Sequence, residues 1–116
     1  KHPKSLIASS VDFGEGCLFF PFSVCSENAY IGDFVIVNLF SSIGHDVKLG
    51  SFCTLSSHVD LTGYVMVEEG VTFGSGSRVL PSLKIGERCT IGAGAIICKS
   101  VPSKNTAYAL PAKLIK

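Results

Sequence analysis

Every sixth residue from Ile7 to Ile97 is apolar, sixteen positions in a row with no insertion or deletion. The anchors run through Phe13, Phe19, Cys25, Ile31 and Val37 to Ile85 and Ile91. Four residues after each anchor stands a second column that is small or β-branched, as at Val11, Ser23, Ala29, Val35, Ser41, Val47 and Ala95, with Leu83 its one larger member. Glycine follows the anchor seven times (Gly14, Gly32, Gly44, Gly50, Gly74, Gly86, Gly92). No helical or heptad spacing fits the same residues. A period of six with one large and one small inward residue predicts short strands joined by bends into a triangular coil. Three hexads make one coil, and coils stack at the strand spacing of about 4.8 Å. The pattern therefore predicts an all-β chain, a parallel β-helix of about five coils and roughly 25 Å tall.

Residues one coil apart stack in columns, which is how chemistry is placed on such a fold. Cys17, Cys53 and Cys89 share one inward column two coils apart, too far to bridge, and read as small core residues. Cys25 is an anchor, and only Cys98 points outward. Three segments follow: a lead-in over residues 1–6, the β-helix over 7–102, and a C-terminal strap and cap over 103–116. The last segment leaves the period and carries Pro111, after Pro102 closes the repeats, as expected of the cover a solenoid end requires.

Composition narrows the function classes. The chain has 116 residues, a formal net charge of +1, and 16% charged residues. That charge offers no footprint for nucleic acid, and no apolar run approaches the roughly 20 residues of a membrane span. Five cysteines without paired spacing fit a reduced, cytoplasmic protein better than a secreted disulfide scaffold.

Candidate chemistry falls at the outward corners. His45 and Asp46 follow anchor Ile43, and Gly63 lies above His45 in the same column. An imidazole beside a carboxylate and near an unobstructed amide supplies a base, its orienting partner and an oxyanion donor. A solvated surface pair is the plain alternative. His58 lies at a different corner, in the column Phe22, Phe40, His58, Gly76, Gly94. Within one chain it cannot readily share a proton with His45; only a neighbouring chain could bring the two together. Gly74, Gly76, Gly92 and Gly94 clear one strip of side chains over two successive coils, as a thin ligand lying along backbone amides would require, although turns also favour glycine. Phe20, Phe22, Phe34 and Phe40 face outward on the early coils, which implies a covered surface.

The unbroken hexads, the I-G-H-D element at 43–46, the stretches VTFGSGSRVLP and IGERCTIGAGAIICKSVP, and the closing LPAKLIK together resemble the hexapeptide-repeat acyltransferases. They are most similar to the sialic-acid O-acetyltransferase and nucleotide-sugar N-acetyltransferase group, and the resemblance spans essentially the whole chain. It implies a left-handed β-helix, a homotrimer with active sites between subunits, and acetyl-CoA as co-substrate. By position it makes His45 the base and Asp46 its acidic partner. Asn38 matches an asparagine found ahead of the base, and Gly63 the amide facing the thioester carbonyl. Gly92, Ala93 and Gly94 match the wall along which pantetheine runs. Many members carry a second histidine further along; here Thr54 occupies that place, and His58 is not its equivalent. Ala109 stands where a glycine is usual before the PAK proline. Members also carry an N-terminal sugar-binding domain, so this chain is expected to be the β-helix half of a longer protein.

The expected function is acetyl transfer from acetyl-CoA to an amino or hydroxyl group of a sugar or nucleotide sugar, with no metal. Two rivals stand beside it: a non-catalytic assembly β-helix, and a γ-type carbonic anhydrase, which would need three convergent histidines around zinc.

Overall fold

The computed structural model describes residues 1–115; Lys116, the last residue of the expected strap and cap, lies outside the described residues. The chain is all β, with two-residue strands on three walls. The first wall stacks Leu6–Ile7, Val24–Cys25, Ser42–Ile43, Asp60–Leu61, Arg78–Val79 and Ile96–Ile97. The second stacks Asp12–Phe13, Tyr30–Ile31, Lys48–Leu49, Met66–Val67 and Lys84–Ile85. The third stacks Leu18–Phe19, Ile36–Val37, Thr54–Leu55, Thr72–Phe73, Thr90–Ile91 and Thr106–Ala107. All pairings are parallel, and the register is one coil of three hexads, as in Ser42↔Asp60 and Asp60↔Arg78. The solenoid is a left-handed β-helix of about six turns.

Such short strands suffice because the second residue of each pair is an anchor that points inward. Ile31, Val37, Ile43, Leu49, Leu55, Leu61, Phe73, Val79 and Ile85 are fully buried. The small column beside them, including Val35, Val47, Cys53, Val65 and Val71, is buried as well. At the first coil the same positions are less covered: Ile7, Val11 and Cys17 are only half-buried, and Phe13 is exposed. Burial holds the two central thiols neutral. It pushes Cys25 up to about 12, and Cys53, where backbone hydrogen bonds oppose it, up to about 11.

The corners obey a rule that the hydrophobic pattern did not reveal. From Gly16 to Gly94 every sixth residue has a positive φ, between 54° and 73°. Glycine, asparagine and aspartate accept this readily, and Gly16, Asn28, Asp46, Gly70, Gly76 and Gly94 occupy such positions. Phe22, Phe34, Phe40, Phe52, His58 and Tyr64 occupy others. Most of these corner amides are tied to the coil before: Tyr64 N–H donates to the His45 carbonyl at 3.1 Å, and Gly76 N–H to that of Ser57 at 3.0 Å.

The coil continues past the expected end of the repeats at Pro102. Thr106 and Ala107 add a strand to the third wall, paired with Thr90 and Ile91. A full coil would bring Tyr108 opposite Thr90, so this last coil is shorter than the rest. The period is therefore lost in the sequence while the wall is not. Residues 108–115 carry no regular secondary structure and are exposed.

Candidate active site

The three walls meet at three corners, and the chemistry divides between two of them. Corner one joins the first wall to the second and carries Gly44, His45, Asp46 and, one coil later, Thr62, Gly63 and Tyr64. Corner three joins the third wall to the first and carries Asn38, His58, Gly74, Gly76, Gly92, Ala93 and Gly94. The first wall alone lies between them.

At corner one, Nδ1 of His45 lies 3.1 Å from Oδ2 of Asp46. A carboxylate accepts, so Nδ1 donates to it, and with the ring in its neutral form Nε2 presents a lone pair. Asp46 holds this pose because it occupies a positive-φ corner position (φ 59°) that aspartate tolerates. Nε2 is turned onto the next coil: a Cβ built on Gly63 would fall 2.6 Å from it. Gly63 therefore leaves room for the imidazole, and Gly44 beneath lets the backbones approach, since a Cβ there would meet the Gly63 nitrogen at 2.9 Å. The ring of Tyr64 closes the arrangement edge-on to His45, with centroids 5.2 Å apart and planes at 89°.

The N–H of Gly63 has no hydrogen-bond partner among the described residues. At the equivalent corner position elsewhere, a side chain one coil on can cap this amide: Asp33 Oδ1 accepts from Glu15 N–H at 3.0 Å, and Ser51 Oγ from Asp33 N–H at 2.9 Å. One coil after Gly63 stands Pro81, which has no side-chain acceptor. A free donor thus sits beside a basic ring nitrogen, the pairing that acyl transfer uses.

Corner three differs. Gly76 and Gly94 adopt φ of +72° and +71°, and a Cβ on Gly94 would meet nothing within 4 Å. Gly74 instead lies against backbone, where a Cβ would fall 2.5 Å from the Ala93 nitrogen. Asn38 is engaged locally, its Nδ2 donating to the Leu55 carbonyl at 2.8 Å. Thr54 is half-buried and faces outward from the middle of the third wall, between corners two and three. His58 stacks on Phe40 (5.1 Å, 24°), which stacks on Phe22 (5.3 Å, 9°). The structure thus gathers His45, Asp46 and Gly63 at one corner and leaves Asn38, His58 and the glycine strip at another. Among the described residues no three His, Cys, Asp or Glu side chains converge as a metal site requires, and no helix is long and apolar enough to cross a membrane.

Two features escaped the sequence reading. Tyr64 was legible in principle, since it stands one coil after Asp46. The positive-φ corners were signalled by glycine, asparagine and aspartate recurring at multiples of six.

Residues 64–99 match the bacterial transferase hexapeptide (six repeats) family. The chain is 35% identical over 94 residues to the GDP-perosamine N-acetyltransferase of Escherichia coli O157:H7, covering 81% of this chain and 42% of that protein. It superposes with a TM-score of 0.92 on PerB from Caulobacter crescentus, solved in complex with CoA and GDP-perosamine, at 33% identity over 99% of this chain and 56% of that one. WeeI from Acinetobacter baumannii AYE gives 0.90 at 30% identity, over 97% of this chain and 56% of the other. The chain spans about half the length of these relatives. With its unbroken hexads, its three parallel walls and these relatives in both sequence and structure, the chain belongs to the hexapeptide-repeat transferase family.

Proposed function

We propose that this β-helix transfers an acetyl group from acetyl-CoA to an amino group of a nucleotide sugar. The observation that carries the reading is the constellation at corner one: Nδ1 of His45 3.1 Å from the Asp46 carboxylate, Nε2 turned onto Gly63, and the unpartnered Gly63 N–H beside it. Relatives that act on or bind GDP-perosamine and CoA give the substrate class.

His45 Nε2 takes a proton from the acceptor amine as its nitrogen attacks the thioester carbonyl. The new C–N bond forms while the carbonyl π electrons move to oxygen, and Gly63 N–H stabilises that oxyanion. Asp46 stabilises the imidazolium. Collapse re-forms the C=O bond and breaks the C–S bond; the proton on Nε2 passes to the departing CoA thiolate, which returns the base. No covalent enzyme intermediate is needed, and the buried thiols of Cys25 and Cys53, held neutral by their surroundings, are unsuited to form one.

Pantetheine fits the strip cleared by Gly74, Gly76, Gly92, Ala93 and Gly94, while Asn38 and Thr54 are assigned to the acceptor side. These residues lie away from corner one, so the reading includes a homotrimer whose sites form between neighbouring subunits. Five unpaired cysteines fit a reducing cytoplasm. The test is CoA release from acetyl-CoA with GDP-perosamine as acceptor. Acceptor-dependent thiol release is expected, and release at the same rate without the amino sugar would overturn the reading.

A further inference from the structure

In a single chain the candidate site has only one side. His45 stands on a convex corner with half of its side chain exposed. Two concavities among the described residues lie elsewhere, one of about 270 Å³ around Val101 and Pro102 and one of about 210 Å³ around His2 and Phe19. A base in that position can neither hold an acceptor nor keep water from the thioester. A second surface is required.

Corner three has the features of that surface. Its early rungs expose Phe22 and Phe40, 52% and 51% accessible, with Phe20 and Leu39 beside them, a grouping that calls for cover. Corners one and three bound the same wall. Copies arranged in a ring with their first walls inward and their axes parallel therefore bring corner one of each against corner three of the next, a head-to-tail contact that closes. From His45 to His58 the chain climbs less than three-quarters of a coil. At the strand spacing that is about 3.5 Å along the axis, less than the width of a sugar ring. The ring of His58 is oriented from below by the Phe22–Phe40 stack, and its other face is open because Gly76 follows it without a side chain.

We propose that His58 of a neighbouring copy faces the His45–Asp46 pair across the subunit boundary and binds the acceptor there, its ring nitrogens hydrogen-bonded to the sugar beside the reacting amine. This rests on the acyl-transfer reading and adds to it a residue the resemblance does not assign. His58 does not replace the missing histidine at position 54: it projects from a corner, not from mid-wall, and its ring is fixed by aromatic stacking.

Two measurements on the full chain test the proposal. In a Cys98→Ser background, the His45→Cys and His58→Cys variants are mixed, reassociated and treated with a short bismaleimide. Covalent dimers are expected in the mixture and not in either variant alone; their absence, or equal yields in the single variants, would overturn the proposal. In the second, acetyl transfer to GDP-perosamine is followed kinetically. His58→Ala should raise the acceptor KM at least tenfold and leave that of acetyl-CoA unchanged. His58→Gln, which keeps hydrogen bonding, should recover part of the loss, and His58→Phe, which keeps only the stack, should not. Full recovery by His58→Phe, or an unchanged KM in His58→Ala, would reduce His58 to a structural rung and end the proposal. A wild-type chain that neither binds CoA nor transfers its acetyl group would sink the acyl-transfer reading instead, and the cross-link would still decide whether the two histidines meet.

Discussion

Corners one and three are built on one backbone plan and carry opposite chemistry. Both turn through a residue of positive φ once per coil, and both tie amides of that column to the coil before. At corner one the positive-φ column runs Asn28, Asp46, Tyr64, Ser82, and the residue before Asp46 is the histidine. At corner three the same column runs Phe22, Phe40, His58, Gly76, Gly94. One corner places a polar pair against a free amide; the other stacks rings and is then stripped bare. Since the backbones match, the difference lies in which side chains stand one coil apart. Function on this fold is thus written along columns, not along the chain.

The comparison can be broken most sharply at corner one. His45→Ala should lower kcat by 10²–10⁴-fold, roughly what a general base contributes, with the fold intact because the side chain is half exposed. Steady-state rates with acetyl-CoA and an amino-sugar nucleotide measure this, and a variant at the wild-type rate would remove the base. The next effect belongs to Gly63→Ala. The new Cβ would fall 2.6 Å from Nε2, so the imidazole must swing away from the amide. A loss of at least tenfold in kcat with little change in Tm is the expected result, and retained kcat would mean that the His45 pose is irrelevant.

At corner three the test is one of backbone. Gly94→Ala has open space for its methyl group but must hold φ near +71°, which costs about 1 kcal/mol and is readable by denaturant unfolding. A corresponding loss in CoA affinity by calorimetry would tie the strip to pantetheine; unchanged affinity would restrict it to turn geometry.

A last effect, absent at neutral pH, comes from the buried core. Cys25 and Cys53 have thiol pKa values raised above the ordinary 9.0. The unfolded chain therefore releases these protons first as the solution becomes alkaline. The stability conferred by keeping them neutral is complete below about pH 9 and declines as pH rises towards 11 and 12. Alkylation at pH 8 should label exposed Cys98 and spare Cys25 and Cys53 until the fold opens; rapid labelling of all three would contradict the packed core.

Much of this was legible in one dimension. The sixfold period determined the walls, the inward columns and the absence of helix. The coil of three hexads set Gly63 above His45 without reference to any tertiary contact. Each residue in a solenoid meets neighbours at a constant offset, so spacing in the chain converts directly into spacing in the molecule. The tertiary structure alone decided the rest. It turned the His45 ring onto Gly63 and set Tyr64 edge-on against it. It also carried the third wall on to Thr106 and Ala107 through a shortened coil. Side-chain rotamers and a shortened coil depend on contacts between rungs and on where hydrogen bonds close, and the hydrophobic pattern, which records only what faces the core, does not encode them.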